Sequence, residues 1–480
     1  MNVKRTKIVI KPDIKRVVLR FFNTSIERSR RIINSVLSLN PTEVEKELER
    51  IFSEFGNRHR NLEDYLLQRF EQVEKYLPTQ ESLSNNYKML IGSYFTMEYS
   101  VEAAALFNPS IVKHPDQTKL PEGSERFVLS LRATGEGHIS SITFRTGVID
   151  ENMNVKLEDP SNFVTLPTVK SFSIYNKLVF KNKLYAQIFK SDFIQSIISD
   201  LNENFTIEEL QRVIDNKLNT IAGNNDLELE IVEHITALLN SSYECSFSPD
   251  MEMSERLLFP YSPDESNGIE DARFVAFTDD NGDVTYYATY TAYDGKNILP
   301  KLLETTDFLN FKTSTLSGSE VINKGMALFP RKVNGKYVML GRQDAESNFI
   351  MFSDNLYNWD SKEKILEPAY TWELLQIGNC GSPIETDKGW LVLTHGVGPI
   401  RKYSIGAFLL DLNDPTKVIG RLSEPILAPT ETERAGYVPN VVYSCGGTLH
   451  NDNIIIPYAM SDYASSFATV ELQEILNELI

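Results

Sequence analysis

The sequence has little cysteine and no excess of basic residues. Three cysteines among 480 residues, at positions 245, 380 and 445, are too few and too widely spaced for a disulfide framework or a zinc site. The scattered histidines give no metal-ligand spacing, so we predict no metal ion. Lys and Arg number 48 against 66 Asp and Glu, a net charge of -18. This balance argues against a nucleic-acid partner, but it allows a small anion in a local cationic pocket.

Long apolar runs are also missing. None approaches the length of a membrane span, and the charged segment 1–7 is not followed by an apolar signal segment. We therefore expect no membrane partner and a cytoplasmic location, which fits the scarcity of cysteine. At 480 residues the chain exceeds one ordinary core, so two domains, or one large domain with additions, are predicted.

Two stretches have helical periodicity. From about residue 25 to 106 apolar side chains recur every three to four positions, as in Leu62, Leu66, Phe70 and Val73. This predicts an N-terminal helical segment over 1–106, with a role in packing or in homo-oligomerisation. A second helical stretch is predicted from about 191 to 241, as an insertion in a catalytic domain that spans 107–480.

The remainder of the chain is typical of short β-strands. From residue 107 onward, β-branched and aromatic runs alternate with Gly, Asn, Asp and Pro turns. The segment 306–311 is echoed by 353–359, and Asn334-Gly335 between them is a strong hairpin signal. Similar strand-turn-strand units begin near Phe127, Ala272, Ser382 and Val438. About five units predict a mainly β fold, a five-bladed β-propeller, with a β-sandwich as the alternative.

The segment 268–273, Gly-Ile-Glu-Asp-Ala-Arg, places two carboxylates and a guanidinium at the start of a predicted strand. Neighbouring strand side chains point to opposite faces, so we expect only one of Glu270 and Asp271 to face a given cleft. Four tyrosines follow within 286–295, and such rings suit a site that stacks on a sugar and hydrogen-bonds to it. A surface turn with a local ion pair is the alternative for these residues.

Several motifs follow one another in a fixed order along the β region. They are the segments 268–273, 289–295, 323–330, 340–342, 389–397, 406–412, 436–442 and 461–462. Together they resemble glycoside hydrolase family 130, which contains inverting β-mannoside phosphorylases and related β-mannosidases on a five-bladed propeller. The resemblance runs from about residue 107 to the C-terminus, apart from the helical insertion. The N-terminal helical segment and the motif at 132–138 are most similar to the β-1,2-oligomannan phosphorylase branch.

The resemblance implies a role for several of these residues. Asp271 corresponds to the general acid, whose proton passes through a substrate hydroxyl to the glycosidic oxygen. Phosphate then attacks from the opposite face of the ring, which requires a cationic cradle and no second carboxylate. Lys324, Arg342 and His395 correspond to phosphate ligands, and Arg401 is a further cation nearby in sequence. The implied partners are an oligosaccharide and inorganic phosphate as co-substrate, with no cofactor.

Glu385 departs from the pattern, because it stands where the family has a lysine. An anion at that place should repel phosphate unless a cation such as Arg401, Arg132 or Arg145 intervenes. The alternative is an inverting β-1,2-mannosidase in which Glu385 or Glu136 serves as the general base for water.

A non-catalytic sugar-binding propeller is a third alternative, against which the intact Asp271, Arg273 and Arg342 speak. The candidate substrate-binding residues are Arg132, Glu136, His138, Arg145, Glu270, Arg273, Tyr290, Tyr293, Asp294, Glu385, Tyr403 and Asp462. For His138 a turn role is equally consistent, and for the tyrosines packing is. Turn-capping roles are expected for Asp307 and Asp354, and burial for Phe311 and Trp359.

Overall fold

A computed structural model describes residues 1–78, 82–171, 175–187, 191–220 and 226–479. Helices form two groups and a final short piece in this part of the chain. They are α1 (Ile26–Leu37), α2 (Pro41–Phe55), α3 (Leu62–Val73), α4 (Asn85–Tyr94), α5 (Lys177–Gln187), α6 (Asp192–Asp200), α7 (Ile207–Thr220), α8 (Asp226–Asn240) and α9 (Leu472–Glu478). No helix within the described ranges is both long and apolar enough to cross a membrane.

The strands up to residue 278 are β1 (Lys4–Arg5), β2 (Val17–Phe21), β3 (Thr96–Ser100), β4 (Ala105–Lys113), β5 (Glu125–Thr134), β6 (Ser140–Ile149), β7 (Val155–Leu157), β8 (Thr168–Ser171), β9 (Tyr175–Asn176), β10 (Asn204–Phe205), β11 (Tyr243–Ser246), β12 (Leu257–Leu258) and β13 (Ile269–Thr278). Those that follow are β14 (Val284–Tyr293), β15 (Ile298–Thr305), β16 (Asn310–Thr315), β17 (Ala327–Leu328), β18 (Tyr337–Gly341), β19 (Asn348–Ser353), β20 (Glu363–Leu366), β21 (Gln376–Asn379), β22 (Ile384–Thr386), β23 (Gly389–Val397), β24 (Tyr403–Leu410), β25 (Val418–Arg421), β26 (Val442–Tyr443), β27 (Thr448–His450), β28 (Asn453–Met460) and β29 (Ala464–Glu471).

Five antiparallel sheets of four or more strands account for most of these strands in the described residues. Sheet I has the order β4-β5-β6-β12 with β7 beside β6, and sheet II has the order β13-β14-β15-β16-β11-β8. Sheet III is β17-β18-β19-β20, and sheet IV is β21-β23-β24-β25 with β22 beside β23. Sheet V is β26-β28-β29-β1 with β27 beside β28. The prediction of a mainly β chain is therefore confirmed.

Each sheet contacts the next one, and the fifth contacts the first. The neighbouring pairs are β4 with β13, β14 with β17, β18 with β21, β24 with β26, and β28 with β4. Hydrogen bonds join several of these pairs directly. The backbone N–H of Cys445 donates to the carbonyl of Pro109 over 2.8 Å, between sheets V and I, and the N–H of Tyr403 donates to Asn440 over 3.0 Å, between IV and V.

The repeated edge of the β units has the predicted local roles. Asp307 accepts from the backbone N–H groups of Leu309 and Asn310, both over 2.8 Å, as a turn cap does. Phe311 and Trp359 are buried, as expected. The Asn334-Gly335 turn has two left-handed residues, at φ 52° and 76°, which is the conformation of a type I′ hairpin.

The helices form two clusters, each with its own apolar core. Helices α1 to α4 pack around Ile33, Val44, Leu66 and Leu90, next to the β2–β3 pair. The predicted helical segment ran to residue 106, but the helices end at Tyr94, and β3 and β4 follow. Helices α5 to α8 form the second cluster, and the first of them begins at residue 177, earlier than the predicted start near 191.

Candidate active site

The two carboxylates of the 268–273 motif lie at a β-bulge. Asp271 has a left-handed backbone, φ 54°, and the register of β13 against β14 shifts between Glu270 and Arg273. Both carboxylates reach one guanidinium: Arg132 Nη2 lies 2.6 Å from Glu270 Oε1, and Nη1 lies 3.3 Å from Asp271 Oδ1. The expectation that only one of them would face a given cleft is wrong, because strand alternation does not hold across a bulge.

Sheet I holds this pair from two strands. Asn108 Nδ2 donates to Asp271 Oδ1 over 2.7 Å, and Arg132 Nε donates to Ser140 Oγ over 2.9 Å. Asn108 is itself left-handed, φ 50°, at a register shift in β4. Sequence reasoning missed Asn108, although a proline directly after it within a strand is a signal for a bulge.

Arg273 is buried, and each of its three nitrogens donates to the protein. Nε reaches the Cys380 carbonyl, Nη1 the Asp271 carbonyl and Nη2 the Tyr443 hydroxyl, each over 2.9 Å. The side chain thus joins sheets II, IV and V and fixes the backbone of Asp271. The sequence predicts that Arg273 contacts the substrate. In the structure its donors instead hold the Cys380 and Asp271 carbonyls and the Tyr443 hydroxyl in place.

A second group, formed by Arg342 and His395, lies on the other side of Tyr443. Arg342 Nη1 is 2.9 Å from His395 Nε2, and the buried ring of His395 lies 4.9 Å from that of Tyr443 and 6.0 Å from that of Tyr403, centroid to centroid. Burial, Arg342 and Arg273 hold the pKa of His395 well below its usual value. The imidazole is therefore neutral, and its Nε2 accepts from Arg342.

Two glycines make room for the Arg342 side chain. A Cβ on Gly378 would lie 2.2 Å from Arg342 Cδ, and one on Gly325, whose φ is 96°, would lie 2.7 Å from Arg342 Nε. The guanidinium is therefore held in a narrow cradle. Its Nε is buried without a hydrogen-bond partner in the described residues. A buried donor of this kind calls for an explanation, and a place for an anion is one.

Electrostatic interactions link the carboxylates of Glu270 and Asp271 to each other and to the nearby cations. Burial by itself would raise the pKa of Asp271. The cations Arg132, Arg273 and Lys324, together with the hydrogen bond from Asn108, have the larger effect, so the pKa lies below its ordinary range. Asp271 is thus ionised in this state. Burial is the main cause that raises the pKa of Glu270, and the charge of Asp271 raises it further. Arg132 opposes this shift without cancelling it.

Asp462 lies in the same field, in the turn between β28 and β29. Burial and the charge of Asp271 raise its pKa to about 6, against the opposing effects of Arg132, Arg401 and Lys324. Lys324 is half-buried, and Arg401 is exposed in the turn before β24. All five sheets therefore contribute to one cluster around Asp271.

Several left-handed residues other than glycine lie at this end of the sheets. The members of this group are Asn108, His138, Asp271, Ile400, Arg401, Ser461 and Asp462. Such conformations cost on the order of 1–3 kcal/mol each and persist where the surroundings enforce them, which is frequent at functional sites. Here they occur in the bulges and tight turns that carry Asn108, Asp271 and Asp462 in the cluster and His138 and Ile400 on the exposed loops around it.

Two predicted site residues, Arg145 and Tyr290, lie elsewhere. Arg145 donates from Nη2 to the buried Glu102 over 2.7 Å. Tyr290 is buried, and its hydroxyl donates to Glu265 Oε1 over 2.6 Å. Both point away from the Asp271 cluster, so their predicted contact with substrate is corrected to a structural role.

Glu385 is also remote from the cluster. It pairs with Arg331, whose Nη2 is 2.6 Å from Glu385 Oε1. In sheet IV, Glu385 lies opposite Trp390 of β23, whereas His395, further along β23, lies opposite Gly378. Five residues of β23 separate these positions, roughly 16 Å at the strand rise. The expectation that Glu385 stands in the phosphate cradle is corrected by this placement.

The remaining predicted residues line the surrounding loops. Tyr293 donates to the Gly295 carbonyl over 3.0 Å, and Asp294 accepts from the N–H groups of the next turn, so both fold the β14–β15 loop. Glu136 is exposed, and its carbonyl accepts from the Tyr99 hydroxyl over 2.9 Å. His138 is exposed in the same loop, beside Tyr437.

Comparison with known proteins places this chain in a family. The model of glycoside hydrolase family 130, described as beta-1,4-mannooligosaccharide phosphorylase, matches residues 234–479. That is about half of the chain, and it includes Asp271, Arg342, His395 and Asp462. The chain belongs to glycoside hydrolase family 130.

Two relatives, each more than 30% identical and matched over more than two thirds of their length, agree with this assignment. A 1,2-beta-oligomannan phosphorylase of Thermoanaerobacter sp. strain X514 is 36% identical over 230 residues, which cover 47% of this chain and 75% of that protein. A beta-1,2-mannobiose phosphorylase of the same strain is 38% identical over 217 residues, covering 44% and 70%. The solved beta-1,2-mannobiose phosphorylase of Listeria innocua, in complex with beta-1,2-mannobiose, aligns with a TM-score of 0.46 at 23% identity, over 79% of this chain and 93% of that one.

Proposed function

We propose that the protein is an inverting glycoside phosphorylase. It cleaves β-1,2-linked oligomannosides with inorganic phosphate and releases α-mannose 1-phosphate. Family membership and the names of two relatives, a 1,2-beta-oligomannan phosphorylase and a beta-1,2-mannobiose phosphorylase, support the reaction and the linkage. Phosphate serves as co-substrate, and the reaction needs no other cofactor.

The observation that carries the proposal is the state of Arg342. Arg342 is only 7% exposed, its guanidinium faces a neutral imidazole, and its Nε has no partner among the described residues, with which it also forms no ion pair. A buried charge without a counter-charge is costly, so an anion is the natural complement. The planar fork of arginine suits two phosphate oxygens, and Lys324 adds a second cation on the side of Asp271.

Asp271 is the proposed acid, and we propose that phosphate binding raises its pKa so that the carboxyl carries a proton. In the free protein three cations hold the carboxyl ionised. A phosphate anion beside Arg342 and Lys324 offsets part of that field and raises the pKa of Asp271, so proton uptake is coupled to phosphate binding. The proton then goes to the leaving oxygen as the C1–oxygen bond breaks and the C1–phosphate bond forms. The proton that the phosphate carried restores the acid.

The five sheets are the proposed blades of a β-propeller. The closed order of contacts between sheets I to V supports this arrangement, as does a depression of about 300 Å³ at the ends of the strands opposite Asp271. Residues of all five sheets line that depression, among them Lys113, Thr278, Arg331, Glu385 and Leu449. A depression shared by five sheets is what the open end of a propeller axis provides.

Two further proposals concern the whole protein. The helices α1 to α4 form a homo-oligomer interface, for which the exposed Ile26 is a candidate contact. A cytoplasmic location fits the reaction, because phosphate is abundant there. Light scattering on the purified chain tests the first proposal, and a single mass equal to that of one chain contradicts it.

The test of the reaction is incubation with β-1,2-oligomannosides, with and without phosphate. We expect phosphate-dependent formation of mannose 1-phosphate, detected by ³¹P NMR. Asp271→Asn lowers turnover by about 10²- to 10⁴-fold, the range for loss of a general acid. Release of free mannose at the same rate without phosphate identifies a mannosidase instead. In that case Glu136, and not the remote Glu385, is the base to replace first.

A further inference from the structure

Two exposed rings from different sheets meet at the same end of the molecule as Asp271. His138 lies in the turn between β5 and β6, and Tyr437 lies in the segment that leads into β26. Their ring centroids are 5.8 Å apart, with planes inclined by 34°. Tyr437 is 63% exposed, and His138 is exposed as well. The contact thus leaves most of the tyrosine ring open to solvent.

We propose that His138 and Tyr437 form a stacking subsite for a sugar of the oligosaccharide outside the pair joined by the cleaved bond. The subsite sets the preference of the enzyme for longer chains. This inference rests on the proposed function and extends it to substrate length. Flat rings with polar edges suit the apolar face and the hydroxyl groups of a pyranose.

Both rings are joined to the Asp271 cluster through short backbone paths. His138 precedes Ser140 by two residues, and Ser140 Oγ accepts from Arg132, which contacts Asp271. Next to Tyr437, the N–H of Val438 donates to the Ser461 carbonyl over 3.1 Å, and Asp462 follows directly. The ring pair therefore spans the two sides of the cluster, Arg132 and Asp462. A chain bound at the acid passes this rim as it leaves the site.

The local backbone argues against a packing role. His138 has φ 61° and Gly137 has φ 67°, two successive left-handed residues that hold the imidazole outward. A left-handed conformation is strained for histidine, and packing of an exposed ring does not offset that strain. In the pair His395 and Tyr443, by contrast, both rings are buried and their centroids lie 4.9 Å apart.

The neighbouring turn completes an apolar rim. Ile400, also left-handed, is 91% exposed in the turn before β24. The next strand begins at Tyr403, whose N–H donates to Asn440 in the segment that carries Tyr437. An apolar side chain, an imidazole and a phenol thus stand beside an interior cluster of opposite charges. This arrangement fits a neutral, hydroxyl-rich ligand better than an ion.

The kinetic test compares chain lengths. With saturating phosphate, kcat/KM is measured for β-1,2-mannobiose, -triose and -tetraose. We expect Tyr437→Ala to lower the ratio of tetraose to biose by about five- to tenfold, the scale of one aromatic contact. Tyr437→Phe retains the ratio, and His138→Ala lowers it less. Tyr94→Ala, which removes an exposed tyrosine at the end of α4, leaves the ratio unchanged.

A binding test separates this inference from the proposed reaction. All three native tryptophans are buried, so Tyr437→Trp adds the one exposed indole in the described residues. We expect its emission to shift on titration with β-1,2-mannotetraose without phosphate, and not with mannose. Absence of any shift at concentrations that saturate turnover overturns the subsite, as does an equal loss for all chain lengths in Tyr437→Ala. If the wild type makes no mannose 1-phosphate but the indole responds, the reaction is wrong and the subsite stands.

Discussion

Two buried arginine clusters in this protein contrast sharply in how their charge is satisfied. In the first, Glu102 accepts from Arg16 Nε over 2.9 Å and from Arg145 Nη2 over 2.7 Å, and carbonyl oxygens take further donors of both guanidinium groups. In the second, Arg342 faces the neutral His395, and its Nε has no partner among the described residues. The charges of the first cluster are therefore paired inside the protein, whereas the second has a cation for which we propose an external anion as the partner.

The contrast shows how to separate a structural arginine from a ligand-binding one. Burial alone does not distinguish them, because Arg16, Arg145 and Arg342 are all buried. What distinguishes them is whether a carboxylate and carbonyl groups of the protein use up the donors. The sequence presents both Arg145 and Arg342 as site candidates. The contacts give Arg145 a structural role, and the phosphate-binding role of Arg342 remains a proposal.

Replacement of Glu102 should have the largest effect on stability. Glu102→Gln leaves Arg16 and Arg145 buried without a counter-charge, so the free energy of unfolding falls by about 3–5 kcal/mol. Urea unfolding measures this change. The kcat/KM of the folded protein with β-mannoside and phosphate should stay near that of the wild type. A loss below about 1 kcal/mol, the scale of an exposed ion pair, contradicts a completed cluster.

Replacement of Arg342 should have the opposite signature. Arg342→Ala removes a charge that has no ion-pair partner among the described residues, so the free energy of unfolding falls less than in Glu102→Gln. The KM for phosphate rises by about ten- to a hundredfold, the scale of charge-assisted hydrogen bonds. Arg342→Lys retains the charge without the fork and gives an intermediate KM. An unchanged KM in both variants shows that phosphate binds elsewhere.

The neutral His395 predicts a dependence of stability on pH. Its pKa is lowered in the folded protein, so below about pH 6.5 the unfolded chain takes up a proton that the folded protein does not. The neutral His395 therefore does not affect the free energy of unfolding above pH 6.5, and it lowers that free energy by up to about 1.4 kcal/mol per pH unit below pH 6.5. We expect His395→Gln to lose stability less steeply than the wild type between pH 6.5 and 5.5. Parallel slopes in urea unfolding contradict a neutral His395.

The smallest effect is expected at Glu385. Its pair with Arg331 is about 41% exposed on both sides, so Glu385→Gln changes the unfolding free energy by less than about 1 kcal/mol. Because it is remote from Arg342 and Asp271, kcat and the KM for phosphate stay unchanged. A large drop in turnover would show that Glu385 acts in the active site.

Much of the candidate site was predictable because motifs at strand ends carry it. Arg132, Glu270, Asp271, Arg342 and His395 lie in segments whose order along the chain resembles the family, and the structure brings them together. Their predicted catalytic roles remain predictions.

The errors have two physical causes. The bulge at Asp271 breaks strand alternation, so both carboxylates reach Arg132, which a simple period of two excludes. Tyr290 lies on the face of β14 that looks towards Glu265 and Lys301, and a candidate motif alone does not say which face is turned to the cleft.

Contacts between sheets were beyond the reach of sequence reasoning. Asn108 and Tyr443 stand on the strands β4 and β26, and their partners Asp271 and Arg273 are more than 160 residues away in each case. No local spacing links them. The repeat of strand-turn-strand units did predict five sheets, because each unit has its own turns, but not the lateral neighbours of any residue.

Sheet V joins parts of the chain that are almost its whole length apart. Lys4 and Arg5 in β1 pair with Thr469 and Ala468 in β29. Contacts at such sequence separation form slowly, because a very long loop must close before they are gained. The last sheet is therefore complete only after both segments are available, and sheets I to IV must persist without it during synthesis. Until β1 has paired with it, the outer edge of β29 is an unpaired strand edge, open to other chains.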